Sequence, residues 1–245
     1  ISIINGTSGI HLSLLALGVK NEDEILVPSL TFIGTINAIR FAGANPHFID
    51  SNPVDLGIDH KKLETWLNQI VKFKNGVSYN KITNKRIFAI IPVHIFGHSS
   101  QINKIKIICK KFNLKLIEDA AEALGSYNAN KHLGLFGDVG IISFNGNKII
   151  TTGNGGVVLT GNKKLEIKIR KLSNTAKINH SWKLQHEIQS FNYRISSINA
   201  SLGIAQFKKL KKHIYRKRKL NDFYTNLFKD VMGVSVFKEP SYQKA

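Results

Sequence analysis

Short apolar runs alternate along the chain with stretches whose apolar residues recur at three- and four-residue steps. Ile1-Ser-Ile-Ile4 reads as the inside of an apolar strand, and a helical pattern follows from Thr7 through Leu12, Leu15 and Leu17. Residues 25–27 form a short strand ended by Pro28. Residues 31–41 have helical spacing that stops near Gly43, and residues 46–50 read as a second strand. A helix over residues 60–71 places Leu63, Trp66 and Ile70 on one face. Residues 86–91 form a buried strand ending at Pro92, residues 102–112 a helix and residues 114–118 a strand. Two further strands cover residues 139–143 and 156–160, and residues 195–228 read as one long helix with room for a kink. This alternation predicts α/β architecture with a largely parallel central sheet flanked by helices. Ligands in such sheets sit beyond the carboxyl ends of the strands. Asp119 and Ser143 both fall at predicted strand ends.

Composition narrows the class. A chain of 245 residues with 42% hydrophobic content supports a sizeable core. No apolar run reaches the length of a membrane span, and no signal peptide is visible, so a soluble, cytoplasmic protein is expected. The single cysteine, Cys109, lies within the apolar run of Ile105, Ile107 and Ile108 and reads as a small core residue. The chain opens inside a strand and stops in what reads as a loop, so a fragment of a longer protein is expected. The formal charge of +19 raises the question of nucleic acid. Lysine supplies most of it, beside abundant asparagine and isoleucine, which is what an AT-rich coding sequence produces. The dense run from Lys208 to Lys219 carries Phe207, Leu210 and Ile214 at helical spacing, so it reads as the wet face of an amphipathic helix. No nucleic-acid or membrane partner is expected.

The candidate chemistry lies in three separated patches. Lys148 follows Ser143-Phe-Asn-Gly-Asn and precedes the glycine-rich turn at Gly153-Asn-Gly-Gly156. Asp119, in Glu118-Asp-Ala-Ala-Glu122, stands where a carboxylate is costly unless paired. Facing a pyridine nitrogen, it would keep that nitrogen protonated; it reads equally as a cap for the following turn. Thr7 and Ser8, between Gly6 and Gly9, open a helix whose N-terminal amides suit a phosphate, or simply cap it. Together the patches supply a carboxylate, hydroxyl and amide donors, and an amine, which is what holding pyridoxal phosphate requires. Phe32 is placed to stack on a flat ring or to enter the core. His94 and His98 lie in a loop between Pro92 and Gly97, and no metal site is expected. Gly134, Gly137 and Gly140 do not make a dinucleotide fingerprint.

Those motifs carry a resemblance. Asn5-Gly-Thr-Ser-Gly-Ile-His11, Pro28-Ser-Leu-Thr-Phe32, Glu118-Asp-Ala-Ala-Glu-Ala-Leu-Gly125, the stretch from Ser143 to Gly156, and Phe191-Asn-Tyr-Arg194 with Ile198-Asn-Ala-Ser-Leu-Gly203 resemble the DegT/DnrJ/EryC1/StrS family of nucleotide-sugar aminotransferases. The likeness looks nearest to the branch acting on UDP-4-keto sugars. It implies a fold type I, aspartate aminotransferase-like architecture. A large cofactor domain would cover residues 1–194, and residues 195–245 would begin a smaller C-terminal domain.

The resemblance also implies roles. Lys148 would bond to the cofactor aldehyde, and Asp119 would pair with the ring nitrogen. Thr7, Ser8 and Ser143 would bind the phosphate, and Phe32 and Ala121 would sandwich the ring. Glu122 would sit near the ring's 3-hydroxyl, where many relatives carry glutamine. Asn192 would reach the phosphate in a neighbouring subunit, which implies a homodimer with shared sites. The implied reaction is transfer of an amino group, from glutamate, to a 4-keto nucleotide sugar for surface-glycan synthesis. Sugar dehydratases of the same family carry histidine at the lysine position, so Lys148 argues against that activity. A cofactor-holding regulator without turnover is the other alternative.

Overall fold

The structure is a computed structural model that describes residues 1–178, 182 and 185–244. Its elements run, in chain order, β1 (Ser2–Ile3), α1 (Gly6–Leu17), β2 (Glu24–Pro28), α2 (Ile33–Phe41), β3 (Asn45–Ile49), α3 (His60–Ile70), β4 (Val71–Lys74), β5 (Val77–Asn80), β6 (Ile87–Ile90), α4 (Ile102–Lys111) and β7 (Lys115–Asp119). There follow β8 (Tyr127–Asn128), β9 (Lys131–His132), β10 (Val139–Ser143), β11 (Gly156–Leu159), α5 (Lys163–Ser173), α6 (Ser197–Phe207), α7 (Leu210–Phe228) and β12 (Gln243–Lys244).

Seven strands form the central sheet in the order β1-β11-β10-β7-β6-β2-β3. The five from β10 to β3 pair in parallel, while β11 runs antiparallel to both neighbours. Side chains alternate between the two faces of each strand. Ile25 and Val27 of β2, Ile117 of β7 and Ile141 of β10 enter one core with Leu12 and Leu14 of α1, Ile39 of α2 and Ile169 of α5. The intervening Leu26, Leu116 and Ile142 enter the other, with Leu63 and Leu67 of α3 and Ile105 and Ile108 of α4. A sheet covered on both faces reads in sequence as unbroken apolar runs, as these strands do.

Helix ends are set by local chemistry. The Asn5 side chain accepts the Ser8 amide at 2.8 Å and starts α1, and Gly18, at φ 94°, turns back onto the carbonyls of Leu14 and Leu15 and ends it. The kink allowed for in residues 195–228 falls at Lys208 and Lys209, which divide α6 from α7. Neither buries a residue fully. Their contacts with the sheet domain include the Asn199 amide group on the carbonyls of Thr152 (2.7 Å) and Asn154 (3.0 Å), and Ile214 of α7 against Gly125. Ala245, the last residue of the expected smaller domain, lies outside the described residues.

Candidate active site

A cleft of about 470 Å³ opens at the carboxyl edge of the sheet. The ends of β2, β6, β7 and β10 and the start of α1 all reach it, so residues 7, 32, 94, 119, 122, 143 and 148 share one lining. Its inner wall is Asp119. The backbone there is fixed on both sides: the Asp119 amide donates to Pro92 O (3.0 Å), the His94 amide to Asp119 O (3.0 Å), and the Ala120 amide to Ile141 O (2.9 Å). The carboxylate accepts from the Thr35 hydroxyl at 2.5 Å and the Ala121 amide at 3.2 Å. Burial pushes this carboxyl above the ordinary range. The two hydrogen bonds and the electrostatic attraction of His94 and Lys148 oppose the shift without cancelling it. A buried carboxylate so placed gains from a cation brought into the cleft.

Behind Asp119 lies a second buried carboxylate. Glu118 is fully buried and accepts the amides of Gly134 (2.8 Å), Phe136 (2.6 Å) and Gly137 (2.7 Å). It also meets His94 Nε2 at 3.0 Å. The Ser100 amide faces His94 Nδ1, which leaves Nε2–H to donate to Glu118. Burial works to raise this carboxyl, but His94 and the glycine amides outweigh it and hold it below the ordinary carboxylate range. The spaced glycines serve this fold-back: a Cβ on Gly140 would stand 1.9 Å from Gly134 O.

The opposite wall is the start of α1. Asn5 takes the Ser8 amide, which leaves the Gly6 and Thr7 amides as the open donors of the first turn. Gly6 lets that turn lie against β10, where its Cβ would meet Ser143 Cβ at 3.4 Å. The Thr7 and Ser143 side chains share the lining, so amides, two hydroxyls and the positive end of the helix converge there. Gly34 keeps the space open, since a Cβ there would stand 2.6 Å from Thr7 Oγ1.

Lys148 stands on a loop braced by Phe144 N to Gly155 O (2.8 Å) and Thr152 N to Phe144 O (2.9 Å). Its Nζ is 2.9 Å from Glu122 Oε1, and Glu122 Oε2 accepts the Phe96 amide at 3.0 Å. Phe96 adopts a left-handed φ of 52°.

Thr7, Phe32, Asp119, Ala121, Glu122, Ser143 and Lys148 all line this cleft. Phe32 is the N-cap residue of α2 and 73% exposed at the lip, not a core residue. Ser8 is buried, with its amide taken by Asn5, and is outside the lining. Asn192 is exposed beside Asn174 and also outside it. Sequence reasoning missed Thr35, which touches Asp119 from 84 residues away, and the Glu118–His94 pair. The glycines after Asp119 were the available signal for that pair.

A phosphate at the α1 terminus, a protonated heterocycle donating to Asp119 and an aldehyde near Lys148 match these groups in type and placement. The residues present fit pyridoxal phosphate. Among the described residues no group of side chains has the arrangement of a metal site, and no helix is long and apolar enough to cross a membrane.

The DegT/DnrJ/EryC1/StrS aminotransferase family matches residues 1–244 of the chain. A GDP-perosamine synthase of Escherichia coli O157:H7 is 40% identical over 223 residues, 91% of this chain and 57% of that protein. A UDP-4-amino-4,6-dideoxy-N-acetyl-beta-L-altrosamine transaminase of Campylobacter jejuni is 36% identical over 242 residues, 98% of this chain and 60% of that protein. The structure of NtdA from Bacillus subtilis, solved with the cofactor PMP, superposes with a TM-score of 0.82 at 26% identity, covering 99% of this chain and 52% of that one. The chain thus spans less than two thirds of each.

Proposed function

The chain belongs to the DegT/DnrJ/EryC1/StrS aminotransferase family, and from that premise we propose that it works as a pyridoxal phosphate-dependent transaminase, moving an amino group from glutamate to a 4-keto nucleotide sugar. The observation that carries the reading is the convergence of Lys148, Asp119 and the open start of α1 on one cleft. Relatives named for a GDP sugar and for a UDP sugar support a nucleotide-linked hexose as acceptor.

When bound, pyridoxal phosphate supplies an electron-accepting ring that stabilises negative charge on the carbon losing its proton. The chain's residues do the rest. Gly6 and Thr7 amides with the Thr7 and Ser143 hydroxyls anchor the phosphate. The Asp119 carboxylate, held in place by Thr35 and Ala121, keeps a proton on the ring nitrogen, and that charge relieves its own burial cost. Phe32 and Ala121, both in the cleft lining, would hold the ring between them. The Lys148 Nζ would be the base that takes the proton from the donor's α-carbon and returns it. Asn192, on the exposed surface, serves the site of a second copy in a homodimer. Residues 195–245 open a smaller domain, in keeping with the unburied α6 and α7. A histidine at position 148 would have favoured dehydration; lysine favours transamination. The test is steady-state assay of the protein with glutamate and GDP- or UDP-linked 4-keto hexoses. Amino-sugar product with stoichiometric 2-oxoglutarate is expected, whereas cofactor binding without turnover would leave a regulator.

A further inference from the structure

The turn that carries Phe96 is held in a shape its own residues oppose. The Gly97 amide donates to His94 O (3.1 Å) and the His98 amide to Ile95 O (2.9 Å). The second bond closes a turn with Phe96 and Gly97 at its centre, at φ 52° and 87°. Positive φ at both central positions suits glycine and asparagine, so a phenylalanine at the first is strained. Burial does not offset the strain, because Phe96 is 73% exposed. Yet the shape matters to the cleft: Ile95 and Phe96 line it, and the Phe96 amide donates to Glu122 Oε2 at 3.0 Å. The grip on this turn comes from the segment after α7. The Ser99 amide donates to Gln243 Oε1, and the Gln243 NH₂ donates to His98 Nδ1 at 2.6 Å. Burial holds His98 below the ordinary histidine range, so its ring is neutral near pH 7 and Nδ1 can accept. The Tyr242 hydroxyl donates to the buried Asp55 carboxylate at 2.8 Å and lies 3.3 Å from Ser99 O. Gln243 also pairs with Asn128 through β12 and β8, and Asn128 donates to the Ser99 hydroxyl at 3.0 Å.

We propose that Tyr242 and Gln243 are positioning residues of the cleft: by gripping His98 and Ser99 they keep the 95–98 turn strained, and so hold Ile95, Phe96 and Glu122 together as one wall. That this wall faces a cofactor rests on the transaminase reading above. Without the grip, the turn relaxes to negative φ at Phe96 and its amide leaves Glu122. The wall then has its binding shape for only part of the time, and affinity falls by that fraction. The coupling runs both ways, so a cofactor in the cleft tightens the grip of Gln243 on Ser99.

The test uses the whole chain and pyridoxal 5′-phosphate. In Gln243→Ala, affinity read by fluorescence titration is expected to fall about tenfold, since two hydrogen bonds to the turn are lost. Tyr242→Phe gives a smaller fall. The Phe96 amide, which Gln243 does not touch, is followed by hydrogen exchange in the cofactor-free protein. It should exchange about tenfold faster in Gln243→Ala, while amides of the central sheet keep their wild-type rates. The sharpest arm adds Phe96→Asn, which places before Gly97 the residue that takes up this turn most readily. On that background Gln243→Ala is expected to cost less than about threefold in affinity, because the turn no longer depends on the grip. Unchanged Phe96 exchange overturns the proposal, and so does an affinity loss that is equal on both backgrounds. Faster exchange across the whole sheet overturns it too, since Gln243 would then merely stabilise the fold. Wild-type protein that binds no pyridoxal phosphate overturns the transaminase reading, while the Phe96 amide still decides whether Gln243 holds the turn. Normal wild-type binding beside an unweakened Gln243→Ala overturns this inference alone.

Discussion

Glu118→Gln tests whether the carboxylate behind the site is the keystone of its inner wall. Four donors converge on Glu118: His94 Nε2–H and the amides of Gly134, Phe136 and Gly137. The Gln carbonyl oxygen can replace the oxygen that serves Phe136 and Gly137. Its NH₂ cannot accept from Gly134 or His94. A change of His94 tautomer relieves one conflict, toward Ser100, and leaves the other. One or two buried donors without acceptors cost about 1–3 kcal/mol each. A loss of about 2–5 kcal/mol is expected near pH 7. For a chain of this size that is a fall in Tm of roughly 4–20 °C, at about 2–4 °C per kcal/mol. The pH dependence has a fixed sign. A carboxyl held below its ordinary range contributes stability that is full above the unfolded value and lost as pH falls through the depressed one. The gap between wild type and Glu118→Gln should therefore close below about pH 4. Urea unfolding at pH 7 and at acid pH measures both. A variant within about 1 kcal/mol of wild type at pH 7, or a gap that widens on acidification, refutes the reasoning.

Thr35→Val removes the hydroxyl from Asp119 and should weaken pyridoxal phosphate binding about tenfold, the worth of a hydrogen bond to a charged group, as read by fluorescence titration. Asp119→Asn should make the cofactor-free protein more stable than wild type. Burial raises this carboxyl, so wild type loses stability as pH rises from the ordinary aspartate value toward the raised one, and thermal melts across that window should show the difference appear. Gly34→Ala places a Cβ 2.6 Å from Thr7 Oγ1. It should lower the stability of the cofactor-free protein by up to about 2 kcal/mol in urea unfolding, the overpacking cost of about 1–3 kcal/mol less the gain in helix propensity of about 1 kcal/mol.

The strands and most helices were legible because burial on both sheet faces leaves apolar runs, and helices packed on one side leave a period, as Leu63, Leu67 and Ile70 do in α3. The β4–β5 hairpin escaped that reading although Asn75-Gly76, both at positive φ, is a strong turn signal. Its strands are short and partly exposed, so neither period dominates. The divide between α6 and α7 was legible only as room for a kink, because continuous helical spacing does not say where an axis bends. In the site, residues that bring a distinctive group to a strand end, Asp119, Ser143 and Lys148, could be picked out singly. Thr35 could not, because its meaning lies in a contact spanning 84 positions. Ser8 shows the converse: a hydroxyl in the same motif that is buried and outside the cleft lining.

The central claim is that Lys148 is the amine that takes the cofactor. Reduction with borohydride in the presence of pyridoxal 5′-phosphate, followed by peptide mass mapping, locates the bond directly. A single phosphopyridoxyl adduct on Lys148 is predicted, absent in Lys148→Ala. An adduct confined to another lysine, or none under conditions where the cofactor is bound, would contradict the account.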